Sequence, residues 1–105
     1  MVVLVLFSCK KNDDVPETII GKEQMAKILV DIHLLEIRID KLDMPKDSAD
    51  VVYKSFEYDL LTNKHNVDTL TYLTSFKYYT NHLNHFNDVY DMVLKEMEIK
   101  QKDRF

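Results

Sequence analysis

A long apolar stripe in the second half of the chain restricts the fold more than any other feature. Between residues 72 and 97, apolar side chains recur at alternating spacings of four and three: Tyr72, Phe76, Tyr79, Leu83, Phe86, Tyr90, Val93 and Met97. An α-helix turns once every 3.6 residues, so this pattern keeps one helical face apolar for about seven turns. We predict a long last helix, with a kink near residues 80–84, where polar residues are poor helix formers.

A second helical pattern extends from Gly21 to Asp43 and is ended by Pro45. Its main apolar face consists of Met25, Ile28, Leu29, Ile32, Leu35, Ile39 and Leu42. Another side of the same helix carries Val30, Leu34 and Ile37. Only a narrow polar strip, which includes Asp31, is left for water, and we therefore expect this helix to be the central element.

A third pattern predicts a helix from Asp47 or Ser48, either of which could cap it, to a turn at Asn66. Its predicted buried stripe is Ala49, Val52, Tyr53, Phe56 and Leu60. Asn66 suits the left-handed position after a helix, and Asp68 suits the N-cap of the next one. With one glycine and two prolines in 105 residues, turn formers are too few for an all-β chain. The predicted fold is an all-α, small antiparallel three-helix bundle.

The first nine residues indicate where in the cell the protein is expected to be. Met1 to Phe7 is continuously apolar, but about 20 such residues are needed for a helix that crosses a bilayer. Leu6, Ser8 and Cys9 then resemble the lipobox of bacterial lipoproteins. This resemblance implies cleavage before Cys9 and acylation of its thiol, which would anchor the domain by lipid. The alternatives are a buried β-strand or a disordered apolar terminus.

The lipobox interpretation divides the chain into three parts. Residues 1–8 would be a signal peptide remnant with a truncated start, since a basic region is missing ahead of the apolar stretch. Residues 9–15 would be the lipidated cysteine and a flexible tether, and residues 16–105 the helical domain. The polar stretch of residues 10–14 also resembles a surface-export signal of Bacteroidetes lipoproteins. A solvated linker without a signal would have the same kind of sequence.

Four stretches occur in an order that points to a family. They are MAKILVDIHLLE at residues 25–36, KHNV at 64–67, SFKYY at 75–79 and VYDMV at 89–93. The chain from about Val15 to Met97 resembles small Bacteroidetes lipoproteins that carry the domain of unknown function 4296, although Asn66 replaces an expected glycine and no proline lies near His82. The resemblance implies a helical protein anchored in the cell envelope, at the periplasmic or surface face of the outer membrane. It supplies no catalytic residues.

The central helix also carries polar residues at unusual positions. Glu36 lies within the apolar sector, with His33 and Asp40 at its margin. An unpaired buried carboxylate is costly, so we predict a buried polar cluster of His33, Glu36, Asp40, Tyr79 and Tyr90. The spacing of His33 and Glu36 also suits metal ligands on a bundle helix. No second such pair is found, which favours the structural cluster over a metal site, and no cofactor is predicted.

Several activities are disfavoured by composition. The net charge is −4 and the lysines are scattered among acids, which argues against nucleic acid as a partner. His65 is assigned to a turn, and His82 and His85 to a solvated pair. No nucleophilic triad or phosphate-binding loop is legible. We expect a non-enzymatic, lipid-anchored interaction or accessory module with an envelope protein as partner. The alternative is a small peptide-binding or chaperone-like domain, which an exposed apolar groove would indicate.

Overall fold

The computed structural model describes the backbone of residues 15–104 and the side chains of residues 15–100. This part of the chain contains helices and no β-strand, which confirms the predicted all-α class. The four α-helices are α1 (Lys22–Lys41), α2 (Lys46–Asp59), α3 (Thr69–Thr80) and α4 (Leu83–Arg104). A π-helical segment, Leu60–Lys64, continues α2 and is called the π segment below. The predictions for Cys9 and the rest of residues 1–14 lie outside the described residues.

The predicted long last helix is two helices, α3 and α4. The backbone N–H of Asn81 donates to the carbonyls of Lys77 and Tyr78, and that of His82 donates to Tyr79, so α3 closes in a tight final turn. The break lies within residues 80–84, where the polar residues predicted a kink. Because the helical phase is interrupted there, Leu83 is exposed and does not continue the apolar stripe.

The helix α1 lies between α2 and α4. Asp31, midway along α1, contacts Lys64 at the end of the π segment, so α2 runs back along α1. On the other side Lys22 contacts Asp88 near the start of α4, while Leu29 and residues further along α1 share a groove with α4 residues up to 97. The predicted antiparallel three-helix bundle is therefore corrected to a four-helix arrangement in which α1 and α4 run in the same direction.

The core is built around α1, as predicted. Its buried apolar residues are Met25, Ala26, Ile28, Val30, Ile32, Leu35 and Ile39. The first five of these form one core cluster with Ile20, Leu61, Val67, Tyr72, Tyr79, Val89 and Val93. Leu42, predicted to be buried, is exposed because α1 ends at Lys41 and the chain turns at Asp43, which has a left-handed φ of 53°.

Two of the predicted turn positions are confirmed. Asn66 has a φ of 56°, the left-handed conformation expected after a helix. Asp68 is the N-cap of α3, where its Oδ1 accepts a hydrogen bond of 2.6 Å from the backbone N–H of Thr71. That hydrogen bond also lowers the pKa of Asp68. By contrast, α2 begins at Lys46 after Pro45, with no side-chain cap from the predicted residues 47 and 48.

The helix α2 is covered less than predicted. None of its residues is buried, and Phe56 of the predicted stripe is exposed. Tyr53 is its one side chain packed against the core among those that the structure describes. Ala49, Val52, Tyr53 and Leu60 of the predicted stripe are half-buried, so the stripe does face the domain. Its cover is incomplete because α2 packs mainly on α1.

The described helices also bear on membrane crossing. The longest, α4, has 22 residues, but charged side chains recur along it. Within the described residues, no helix has both the length and the apolar character that a bilayer-crossing segment needs.

Candidate functional site

The predicted polar cluster is neither buried nor contiguous. His33 Nδ1 lies 3.4 Å from Glu36 Oε1, but these side chains are 58% and 54% exposed. Asp40 and Tyr90 are also exposed, whereas Tyr79 is fully buried elsewhere. The burial was wrongly predicted because the neighbouring helices leave open clefts beside this part of α1.

Tyr79 instead holds the segment that enters α1. Its hydroxyl donates a 2.7 Å hydrogen bond to the carbonyl of Ile20, and the Oγ of Ser75 accepts a 2.9 Å hydrogen bond from the Ile20 N–H. Both hydrogen bonds are buried, so the Ile20 N–H and carbonyl would each be costly to leave without a partner. Ser75 was missed by sequence reasoning, although its spacing of four from Tyr79 places both side chains on one face of α3. This pair fixes where the chain enters the domain.

A second polar contact joins α1 to the end of the π segment. Asp31 Oδ2 lies 2.6 Å from His65 Nε2 and 2.9 Å from Lys64 Nζ. The side chains of Asp31 and His65 are 13% and 9% exposed. Burial acts to raise the pKa of Asp31, but the hydrogen bonds from Lys64 and His65 outweigh it and lower that pKa. Sequence reasoning had assigned Asp31 to a solvated strip and His65 to a turn.

An apolar groove opens between α1, α3 and α4, with one residue of α2 at its edge. Its volume is about 490 Å³, and we call it the aromatic groove. It is lined by Leu29, Ile32, His33, Glu36, Tyr53, Tyr72, Phe76, Phe86, Tyr90, Val93, Leu94 and Met97. Two ring pairs lie along it, Tyr72 with Phe76 and Phe86 with Tyr90, with centroids 6.1 and 6.2 Å apart.

The aromatic groove divides the apolar stripe of the sequence into covered and open residues. Tyr72 and Val93 are buried at its floor, whereas Tyr90 and Leu94 are each 50% exposed. Apolar side chains that cluster at a concave surface and stay in contact with water are typical of binding sites. The periodicity therefore found most of the lining residues but could not show which of them are covered and which stay open to water.

A polar cleft adjoins the aromatic groove at Glu36 and Tyr53, which line both. It lies between α1 and α2 and has a volume of about 530 Å³. Its lining residues are Glu36, Ile37, Ile39, Asp40, Asp43, Met44, Ala49, Asp50 and Tyr53. Four of these are carboxylates and none is lysine or arginine, so we call it the acidic cleft.

The carboxylates also act on the tyrosines of the aromatic groove. The hydroxyl of Tyr53 donates to Glu57 Oε2 at 3.2 Å. Burial, together with the charges of Glu57 and Glu36, raises the pKa of Tyr53 well above its usual value and that of Tyr72 to about 12. Burial is the main cause in both cases, and the charges of Glu57 and Glu36 add to it.

The comparisons identify the family. A family model described as a domain of unknown function (DUF4296) matches residues 16–103. The chain belongs to the DUF4296 family. This confirms the resemblance to the domain of unknown function 4296, while the lipoprotein and Bacteroidetes parts of that resemblance stay predictions. No curated protein and no solved structure shows a significant match to the chain.

The DUF4296 domain was also a candidate for metal binding, at His33 and Glu36. Among the described residues, no group of three or more His, Cys, Asp or Glu side chains is arranged to hold a metal ion. His33 and Glu36 could provide at most a pair of ligands at an exposed site. The features with the clearest binding character are the aromatic groove and the acidic cleft beside it.

Proposed function

We propose that this DUF4296 chain is a non-enzymatic, lipid-anchored interaction module of the bacterial envelope that binds a partner polypeptide in its aromatic groove. The observation that carries this proposal is the half-exposed state of Tyr90 and Leu94 at the mouth of an apolar groove. Aromatic side chains that are packed on one side and open on the other are typical anchors in protein interfaces.

The anchoring part of the proposal is supported by the lipobox-like sequence that ends at Cys9. Acyl chains on Cys9 would hold the domain at the outer membrane, since two or more chains give stable attachment. Residues 10–19 would connect the anchor to Ile20, whose backbone is bound by Ser75 and Tyr79 of α3. A partner in the groove would thereby be held close to the membrane.

Site-specific photocrosslinking in the native bacterium tests the binding part. A photoreactive amino acid is placed at Leu94, in the groove, or at Ile99, which is on the same helix, 56% exposed and outside the groove. We expect an adduct from position 94 and none from position 99. Equal adducts at the two positions, or none at position 94, would contradict the proposal.

Labelled palmitate tests the anchor separately. We expect the label to enter the wild-type protein, and Cys9→Ala to abolish both the label and recovery in the membrane fraction. A wild-type protein that stays unlabelled in a lipoprotein-processing bacterium would contradict the anchor and leave the binding test unaffected.

A chaperone-like role is the second candidate, since the groove includes Met97, whose flexible side chain suits varied partners. The same crosslinking experiment separates the two roles. One adduct of defined mass indicates a dedicated partner, and a broad series of masses indicates a chaperone.

A further inference from the structure

The shape and lining of the aromatic groove restrict the form of its occupant. Along α4 the groove extends from Phe86 to Met97, three turns or about 16 Å. Its walls are helix side chains, mostly apolar, and the backbone groups behind them are bonded within the helices. An extended peptide would lose its hydration there without gaining backbone partners, whereas a helix satisfies its own backbone hydrogen bonds.

The charges beside the groove restrict the composition of the occupant. Asp40, Asp43 and Asp50 line the acidic cleft together with Glu36, and none of the four pairs with a lysine or arginine among the described residues. A second groove between α1 and α4, which we call the mixed groove, contains Glu23 and Glu96, whose charges are balanced by Lys27 and Lys95. The acidic cleft, which continues the aromatic groove, thus concentrates four carboxylates with no lysine or arginine in its lining.

We infer that the aromatic groove binds an amphipathic helix whose apolar stripe covers Tyr90 and Leu94, and whose lysine or arginine residues at one end enter the acidic cleft. This inference rests on the proposed function, and it adds the chemical class of the partner. Charge complementarity of this kind selects partners and steers their approach. A second copy of this chain is a poorer occupant, since its net charge of −4 would be repelled by the carboxylates.

Binding of matched peptides to the purified 105-residue chain tests the inference. Three helical peptides share one apolar stripe and a tryptophan, and carry three Lys, three Gln or three Glu residues at one end. The chain itself has no tryptophan, so the emission reports the peptide alone. We expect the Lys peptide to bind most tightly and the Glu peptide most weakly, with the differences reduced at high salt.

Two double variants locate the charge effect. Asp40→Asn with Asp50→Asn, which changes only residues of the acidic cleft, is expected to weaken binding of the Lys peptide about fivefold and to leave the Gln peptide unchanged. The matched control, Glu23→Gln with Glu96→Gln, removes the same charge from the mixed groove and should leave both peptides unchanged. Circular dichroism of each variant checks that its helix content is that of the wild type.

Four results would overturn the inference. Equal affinities for the three peptides, or equal losses in both double variants, would show that the cleft does not select cations. A dimer in sedimentation velocity that Leu94→Lys dissociates would assign the groove to a second copy. No binding of any peptide would exclude the helical occupant. In each case an adduct at position 94 to another protein would leave the proposed function standing, whereas its absence refutes that function independently.

Discussion

Asp31 and His65, 34 residues apart in the sequence, are joined by a 2.6 Å contact between Oδ2 and Nε2, and both side chains are nearly buried. Lys64 shares the same carboxylate oxygen, and Gln24 donates to the carbonyl of His65 at 3.1 Å. These bonds attach the end of the π segment to α1. Since Asn66 follows directly, they also set the turn from which α3 begins.

We expect Asp31→Asn to lower the free energy of unfolding by about 2 kcal/mol at pH 7, because two charge-assisted hydrogen bonds are lost at a largely buried site. Denaturant unfolding measures this change. Asp40→Asn, exposed on the same helix, is the control and should cost less than about 0.5 kcal/mol. Equal stabilities of the two variants would contradict a structural role for Asp31.

The contact between Asp31 and His65 also predicts how the stability of the fold depends on pH. The pKa of Asp31 is lower in the folded state than its ordinary value of 3.8, so its ionised form stabilises the fold. This contribution is fully present above the unfolded value and is lost as the pH falls through the folded value. The stability difference between wild type and Asp31→Asn should therefore shrink in acid unfolding series below pH 3.8. A difference that stays constant down to full protonation would contradict it.

Tyr79→Phe should lower the free energy of unfolding by about 1.5 kcal/mol, because the buried carbonyl of Ile20 loses its hydroxyl donor. Thermal or denaturant unfolding provides the measurement. The control is Tyr90→Phe, which removes a hydroxyl from a half-exposed ring and should change stability by less than about 0.5 kcal/mol. Similar effects at the two positions would show that the hydroxyl of Tyr79 is not important for the fold.

Amide hydrogen exchange should distinguish α2 from α1. Since no residue of α2 is buried, its amides should exchange more than about tenfold faster than those of α1 around Ile28 and Val30. Comparable protection in the two helices would contradict this expectation.

Binding of the Lys peptide should slow the amide exchange near Tyr53, because this residue lines both the aromatic groove and the acidic cleft.

Asn66→Gly should stabilise the fold by about 0.5 kcal/mol, and Asn66→Ala should destabilise it by about 1 kcal/mol. The left-handed φ of 56° is free of strain for glycine and is less favourable for a residue with a Cβ atom. Unfolding measurements on the two variants check the order. Opposite changes would indicate that the Asn66 side chain itself is needed.

Elemental analysis checks the remaining alternative of a metal at His33 and Glu36. We expect no stoichiometric metal in the purified protein and no change in melting temperature on adding a chelator. His33→Ala should also have little effect on stability, since this pair is more than half exposed. Bound metal that is lost in His33→Ala would instead establish a site there.

Structural features that depend only on residues close together in the sequence could be predicted from the sequence. The all-α class and the central position of α1 follow from apolar spacing, and the turns at Asn66 and Asp68 follow from local backbone chemistry. The interruption between Thr80 and Leu83 was predicted as a kink, because polar residues weaken a helix locally whatever it packs against. Whether that weak point becomes a separate helix is decided by packing.

Sequence alone thus determined which segments are helical, where they can end and which residues are apolar enough for a core. Only the tertiary structure decided which apolar faces are covered. The apolar period of a helix specifies which of its faces is apolar, but not which element packs against that face. It brought Ser75 to Ile20 across 55 residues and left Glu36 and Tyr90 open to water. The aromatic groove and the acidic cleft exist because the helices that line them meet without closing over them, and that spacing is a property of the packed molecule.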